Sequence, residues 1–308
     1  MVDEFASQLD RRQTLKCMVW AGTGVVWTVA GGVPASRLIG SAKAAEGSFS
    51  FVQISDSHIG FSKPANPDSR ATLDAAIDKI LAMPGDPAFI IHTGDVTHTA
   101  AAHEFDDALM MIRRAKLDVH YAPGEHDITD AATRTAYLDR FGKGATGGGW
   151  YSFDHDGVHF VSLVNVVDLK ANGLGSLGAE QLAWLDDDLR GQSASTPIVL
   201  FAHIPLWMVA PEWGWGTEDS AQALKLVSRF GSVTVLNGHI HQLMQKVEGA
   251  VTFHTARSTA FPQPAPGTAP APGPKRVPAG ELRKWLGVRE VAYSPTPTEL
   301  AVTDADLS

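Results

Sequence analysis

From residue 49 onward the chain alternates short runs of strand formers with longer stretches whose apolar residues recur at helical spacing. Phe49–Ile54 opens the series as a strand, and 71–83 follows as a helix. The spacing then predicts a strand at 88–92, a helix at 104–115, a strand at 117–122 and a helix at Ala131–Phe141 that Gly142 stops. Segments 150–153 and 158–164, on either side of a turn at 154–157, predict a hairpin. Next come a helix at 179–189, a strand at 197–202, and a helix at 219–230 capped near Thr217 and closed by Gly231. A strand at 232–236 leads to a second hairpin, 243–247 with 251–254, around Glu248-Gly249. Strands that alternate with helices early and hairpins that come late predict an α/β protein, a mixed sheet covered by helices.

No internal repeat breaks the series. Residues 262–278 read PQPAPGTAPAPGPKRVP, and proline at that density continues neither a helix nor a sheet ladder. This stretch is expected to be an extended segment that drapes over the domain, with a partner-binding arm as the alternative. The tail, 282–307, is expected to return as a short strand. The organisation expected is a leader at 1–45, one globular domain at 46–261, and a Pro-rich segment and tail at 262–308 packing on that domain.

Composition sharpens the picture in two places. The hydrophobic share of 44% and charged share of 19% are those of an ordinary globular protein. A formal net charge of −9 removes the electrostatic basis for binding a nucleic-acid polymer, though not for taking a nucleotide as substrate. The leader is the second place. Arg11-Arg12-Gln13-Thr14-Leu15-Lys16 precedes an uncharged stretch at 17–36 and the small-x-small triplet Ala42-Lys43-Ala44. This arrangement resembles a twin-arginine export signal, with Thr14 where such signals carry a bulky apolar residue. Gly22, Gly24, Gly31, Gly32 and Pro34 favour a cleaved signal over a retained anchor, although the stretch is long enough to span a bilayer. The expectation is a periplasmic or secreted protein, exported already folded, with no stable membrane span once 1–45 is removed. Removal takes the formal charge to −11 and takes away Cys17, the one cysteine. Any metal must then be held by His, Asp, Glu or Asn.

Five motifs carry the candidate chemistry, each at the end of a predicted strand: Asp56-x-His58, Gly94-Asp95, Gly124-Glu125-His126-Asp127, Ala202-His203 and Gly238-His239-x-His241. Residues two apart on a strand face the same side, so Asp56 and His58 are expected to grip one ion and His239 and His241 to face one site. Singly the motifs vary: Asp-x-His is weak, Gly-Asp weaker still, Gly-His-x-His better, and His203 alone reads as a core histidine. Their ordered recurrence at strand ends, where α/β sheets gather their ligands, points to a metal centre.

The order D-x-H, G-D, G-[N]-H-D, H, G-H-x-H resembles the signature of calcineurin-like metallophosphoesterases, and most of all their bacterial cyclic-nucleotide phosphodiesterase branch. The match covers residues 50 to about 255. The resemblance implies a four-layer α/β/β/α sandwich of two mixed β-sheets flanked by helices. It assigns Asp56, His58, Asp95 and His241 to one metal, and Asp95, Glu125, His203 and His239 to the other, with Asp95 bridging. It implies two divalent or mixed-valence ions of Mn, Fe or Zn, a bridging hydroxide as nucleophile, and His126 at the leaving group with Asp127 orienting its ring. The function implied is phosphoester hydrolysis, of a diester in preference to a monoester, on a small nucleotide-like or phospholipid-like substrate.

Two departures matter. Glu125 stands where the family has Asn, which adds a negative charge to the ligand set. Either it remains a ligand and favours a more highly charged ion such as ferric iron, or it marks a silent, metal-containing binding protein. His98 occupies the position of the ligating Tyr of purple acid phosphatases, so no tyrosine-to-iron chromophore is expected. Its role is left between ligand, substrate contact and loop residue. Trp207, Trp213 and Trp215, in a Gly/Pro-broken loop after His203, either stack on substrate or pin the loop. Asn165 and Arg257 are further candidates for substrate and phosphate contacts.

Overall fold

The computed structural model describes residues 25–30, 33–38, 47–295 and 298–308. Arg11-Arg12, Cys17 and Ala42-Lys43-Ala44, the marks of the expected leader, lie outside the described residues. Val25–Ala30 (β1) and Val33–Leu38 (β2) pair antiparallel, within the smaller of two compact units, Met1–Lys43. The larger unit, Ala44–Ser308, carries the motifs. No helix among the described residues is long and apolar enough to cross a membrane.

In the larger unit the first half runs β3 (Phe49–Ile54), α1 (Ser69–Leu81), β4 (Phe89–His92), α2 (Ala102–Ile112), β5 (Asp118–Tyr121) and α3 (Ala131–Phe141). The second runs β6 (Tyr151–His155), β7 (Val158–Ser162), α4 (Gly178–Arg190), β8 (Ile198–Phe201), α5 (Ser220–Val227), β9 (Val233–Asn237), β10 (Met244–Glu248) and β11 (Val251–Thr255). Two long strands close the chain, β12 (Gly287–Pro295) and β13 (Thr298–Asp306). They build a five-stranded sheet in the order β13-β12-β3-β4-β5 and a six-stranded sheet in the order β10-β11-β9-β8-β7-β6. Both are mixed, with β3-β4-β5 parallel in the first and β7-β8-β9-β11 parallel in the second.

The two-residue alternation along the strands sets the layers. Phe51, Phe89 and Ile91 of one sheet pack on Phe160, Val199 and Phe201 of the other. The opposite face of the first sheet, with Val52, Ile54 and Ile90, meets Leu73 and Ile77 of α1 and Phe105 and Ile112 of α2. Leu200 and Val235 meet Leu185 and Leu189 of α4 and Val227 of α5. The result is helix, sheet, sheet, helix: the four-layer sandwich that the family resemblance implies.

Two expectations are corrected. Thr217 does not cap α5, since its hydroxyl donates to the Pro205 carbonyl (3.0 Å). Asp219 sits at the N-cap position instead, but its carboxylate accepts from the Leu177 and Gly178 N–H groups (2.9 and 2.8 Å) and so caps the start of α4. The tail is also more than a cover. β12 pairs antiparallel with β3, which places the C-terminal hairpin inside the first sheet, so position 261 marks no break in the fold. Buried Arg289 locks it there, bonded to Asp304 (2.9 and 3.0 Å), Gln53 Oε1 (3.2 Å) and the Thr255 carbonyl (2.9 Å).

Candidate dimetal centre

All five motifs lie just past the C-terminal ends of parallel strands: β3, β4 and β5 of one sheet, β8 and β9 of the other. The strand geometry expected for D-x-H and H-x-H is not what brings the side chains together. The strands have already ended, and the chain turns through left-handed backbone, with φ of 53° at Asp56, 40° at His58, 51° at Asp95, 67° at His239 and 53° at His241. An L-residue is disfavoured there, and strain of this kind persists where the surroundings hold it. Gly94 (φ 94°) and Gly124 make room for these turns. A Cβ on Gly124 would lie 2.0 Å from Asp95 Oδ1, and one on Gly94 would lie 2.5 Å from His203 Nδ1.

The seven predicted ligands converge as two groups, so His239 and His241 part company. Asp56, His58 and His241 form one: His241 Nε2 lies 3.2 Å from Asp56 Oδ1 and 3.3 Å from His58 Nε2. Glu125, His203 and His239 form the other: Glu125 Oε2 lies 2.9 Å from His203 Nε2, and its Oε1 lies 3.0 Å from His239 Nδ1. Asp95 Oδ2 stands between them, 3.4 Å from His58 Nε2 and 3.4 Å from His203 Nε2. Donors held about 2.1 Å from one ion, at right angles to tetrahedral angles, lie about 3.0–3.4 Å from each other, so this spacing fits a metal pair sharing Asp95.

Hydrogen bonding supports the fit. Glu125 Oε2, His203 Nε2 and both ring nitrogens of His239 are buried, and although Glu125 lies 2.9–3.0 Å from the two rings, none of these four atoms makes a hydrogen bond of good geometry. A buried polar atom left unpaired costs about 1–3 kcal/mol, so four at one point call for a cation. Backbone carbonyls fix the rings that supply the donors. His203 Nδ1 donates to Thr93 O (2.7 Å) and His241 Nδ1 to Phe261 O (2.5 Å), which leaves each Nε2 turned inward. Asp56 accepts from the His239 N–H (3.0 Å) and Asp95 from the His126 N–H (2.9 Å).

Electrostatics agrees. Burial pushes Glu125 up, but the facing His239 and His203 rings hold it well below the usual carboxylate range. Asp56, likewise raised by burial, is held at about 2 by His241 and His203. Burial lowers His203, yet Asp95 and Glu125 carry it well above its ordinary value, so in the metal-free site its proton supplies the positive charge that a bound cation would replace. Burial, then the neighbouring His241, His126 and His98, keeps His58 well below its ordinary value, in the neutral form that ligation needs.

His126 is held by backbone. Its Nδ1 donates to the His98 carbonyl (2.7 Å), and the ring stacks on His98 (4.9 Å, 17°) and lines the cavity over the two groups. Asp127 does not orient that ring, contrary to expectation. Its carboxylate is turned inward, accepting from the N–H groups of Val96 (3.1 Å), Thr97 (2.8 Å) and Gly124 (3.0 Å) and from the Thr97 hydroxyl (2.9 Å). It staples the Asp95 loop to the Glu125 loop.

The cavity has a volume of about 360 Å³. His98, Trp213 and Trp215 line it, whereas Trp207 packs on Phe253 (5.2 Å) and pins its loop. Asn165 is buried and structural, donating to Ile204 O and Thr217 Oγ1 (2.8 Å each). Arg257 donates to Lys284 O (3.2 Å) and does not line the cavity. Lys63 and Gln263 do line it, and Lys63 is the one Lys or Arg among the described residues that do so. Neither carries a motif in the sequence; only the folding of their loops brings them there.

A sandwich of this order, with two carboxylate–imidazole groups sharing one aspartate at the strand ends, defines a dinuclear metallohydrolase. The match of residues 49–243 to the calcineurin-like phosphoesterase model is decisive: the chain belongs to that family, whose members use two metal ions. It is 24% identical over 204 residues to a probable cyclic nucleotide phosphodiesterase of Rhodopseudomonas palustris, covering 63% of this chain and 71% of that protein. To the uncharacterized metallophosphoesterase-like protein YydB of Bacillus subtilis it is 32% identical over 101 residues, covering 30% of this chain and only 20% of that protein. A crystal structure of a dimetal phosphatase from Danio rerio superposes with a TM-score of 0.59 at 15% identity, covering 84% of this chain and 98% of that one. That likeness is one of fold.

Proposed function

We propose that the chain hydrolyses small phosphodiesters, with Asp56, His58, Asp95 and His241 holding one ion and Asp95, Glu125, His203 and His239 the other. The observation that carries this is the sharing of Asp95 Oδ2 at 3.4 Å between two groups, in one of which, Glu125, His203 and His239, inward atoms are left without a hydrogen bond. When bound, two such ions supply Lewis acidity toward phosphoryl oxygens and lower the pKa of water into the working range. His126, fixed through Nδ1, presents Nε2 to the cavity and protonates or stabilises the leaving oxygen. The likeness to a cyclic nucleotide phosphodiesterase and the tryptophans on the cavity wall support a nucleotide-like diester.

Carboxylate and neutral imidazole donors suit Mn, Fe or Zn. Glu125 faces two imidazoles and adds a third carboxylate to the set, which supports an ion of higher charge, ferric iron, in the second position. The paired arginines and the small-x-small triplet of the leader support export to the periplasm or beyond.

The full chain, reconstituted with Mn, Zn or Fe, is expected to release p-nitrophenolate from bis(p-nitrophenyl) phosphate, and Asp95→Asn to lose about 100-fold or more in kcat. Metal analysis of Glu125→Asn beside the wild type is expected to show less iron. Turnover of monoesters alone would turn the reading to a phosphomonoesterase. Two bound ions with no turnover of either would turn it to a silent binding protein.

A further inference from the structure

The cavity has two walls that the metal groups do not need. One is Trp213, half-buried, set edge-on to buried Trp215 (centroids 5.0 Å, 84°). Trp215 in turn packs with Ile240, the residue between His239 and His241. The other is formed by Pro272, Gly273 and Pro274 of the Pro-rich segment. This segment folds back on itself, with the Lys275 N–H on the Pro262 carbonyl (2.8 Å). Gln263 fastens it: Nε2 donates to the His239 carbonyl (2.8 Å), and Oε1 accepts from the Gly273 N–H (2.9 Å). Gln242 adds a second tie, donating to the carbonyls of Gln263 (3.2 Å) and Pro264 (2.7 Å). Both walls are therefore anchored to the His239-x-His241 loop and stand at fixed distance from the reacting centre.

The chemistry of the walls selects what lies against them. Proline rings have no N–H to offer, and an indole offers a flat π-face. A group recognised here is flat and apolar-faced, and the cavity volume of about 360 Å³ is in the range of small-molecule sites. We propose that Trp213 and the stretch 272–274, fastened by Gln263, form a specificity pocket for a flat aryl or heteroaryl group carried by an ester substituent of the substrate phosphate. Gln263 is a positioning residue, acting through Gly273. The inference rests on the diesterase reading above and names its substrate class.

Two diesters with one leaving group separate pocket from chemistry. Bis(p-nitrophenyl) phosphate and methyl p-nitrophenyl phosphate both release p-nitrophenolate, and only the retained ester differs. In the metal-loaded full chain, the ratio of their kcat/KM values is expected to fall about tenfold in Trp213→Ala and in Gln263→Ala, mainly through KM of the aryl diester, and to be largely kept in Trp213→Phe. A ratio unchanged in both alanine variants overturns the pocket, and so does an equal fall on both substrates. Calorimetry with phenylphosphonate and methylphosphonate, which have no ester to cleave, gives the independent readout. The wild type is expected to bind the phenyl compound about tenfold tighter and Trp213→Ala to lose that margin; equal affinities in the wild type overturn the pocket. Preference for phenylphosphonate without turnover of either diester leaves the pocket standing and removes the diesterase reading. Turnover with an unaltered ratio does the reverse.

Discussion

Four hydrogen bonds from two loops converge on the Asp127 carboxylate, and three of the four donors are backbone N–H groups. Burial, and then the charge of Asp95, pushes its pKa up to about 6, while those donors pull it back. Asp127→Asn would aim an amide NH₂ at groups that are themselves donors. It is expected to cost about 2 kcal/mol in urea unfolding of the metal-free protein. Unchanged stability would remove the staple role and return Asp127 to the catalytic one. At this scale the ligands were legible because residue type and order survive in the sequence. The backbone turns that aim them were not: an Asp or His at positive φ is written with the same letter as one in a strand. The places of Lys63 and Gln263 were equally hidden, since each depends on a loop meeting another from far along the chain.

His159 shows how one element is fastened to the next. It stands on β7 with Nδ1 at 2.7 Å from Asp154 of β6 and Nε2 at 2.9 Å from Asp188 of α4, so it ties the hairpin to the helix outside it. Burial lowers its pKa, but the hydrogen bonds to Asp188 and Asp154 outweigh that and raise it above the ordinary value. A raised folded-state pKa means the stabilisation is fully present below about pH 6.5 and is lost as pH rises through the folded value. Wild type is therefore expected to exceed His159→Gln in Tm most at about pH 6, with the gap closing toward about pH 9. A gap that widens with pH would refute this. Among the elements, β3 to β11 were legible because each is a short run rich in strand formers, bounded by turn or helix signals. The C-terminal hairpin was underestimated for a physical reason: Arg289 occupies a buried position of β12 and Pro295 ends that strand, so the run reads as polar. Its partners Asp304 and Gln53 were invisible until the sheet formed.

At the scale of the whole molecule, the four layers are joined along the inner core and again at the strand ends. Asp56, His58, Asp95 and Glu125 follow strands of the first sheet; His203, His239 and His241 follow strands of the second. Each metal group includes donors from both. Ions bound there bridge the sheets, and at about 1,000 times Kd one such ion stabilises by about 4 kcal/mol. Chelation is expected to lower Tm by roughly 10 °C, and readdition of metal to restore it. A Tm insensitive to chelator would mean that the sheets hold together without the ions.

The division of each ligand set between the sheets also fixes an order of events. A half-closed sandwich offers neither ion a complete set of donors, so capture has to wait until both sheets have met. The ion retained is then drawn from the metal pool surrounding the chain as it closes, where availability weighs as much as intrinsic affinity. A chain that folds in one compartment and works in another would carry the first compartment's metal into the second.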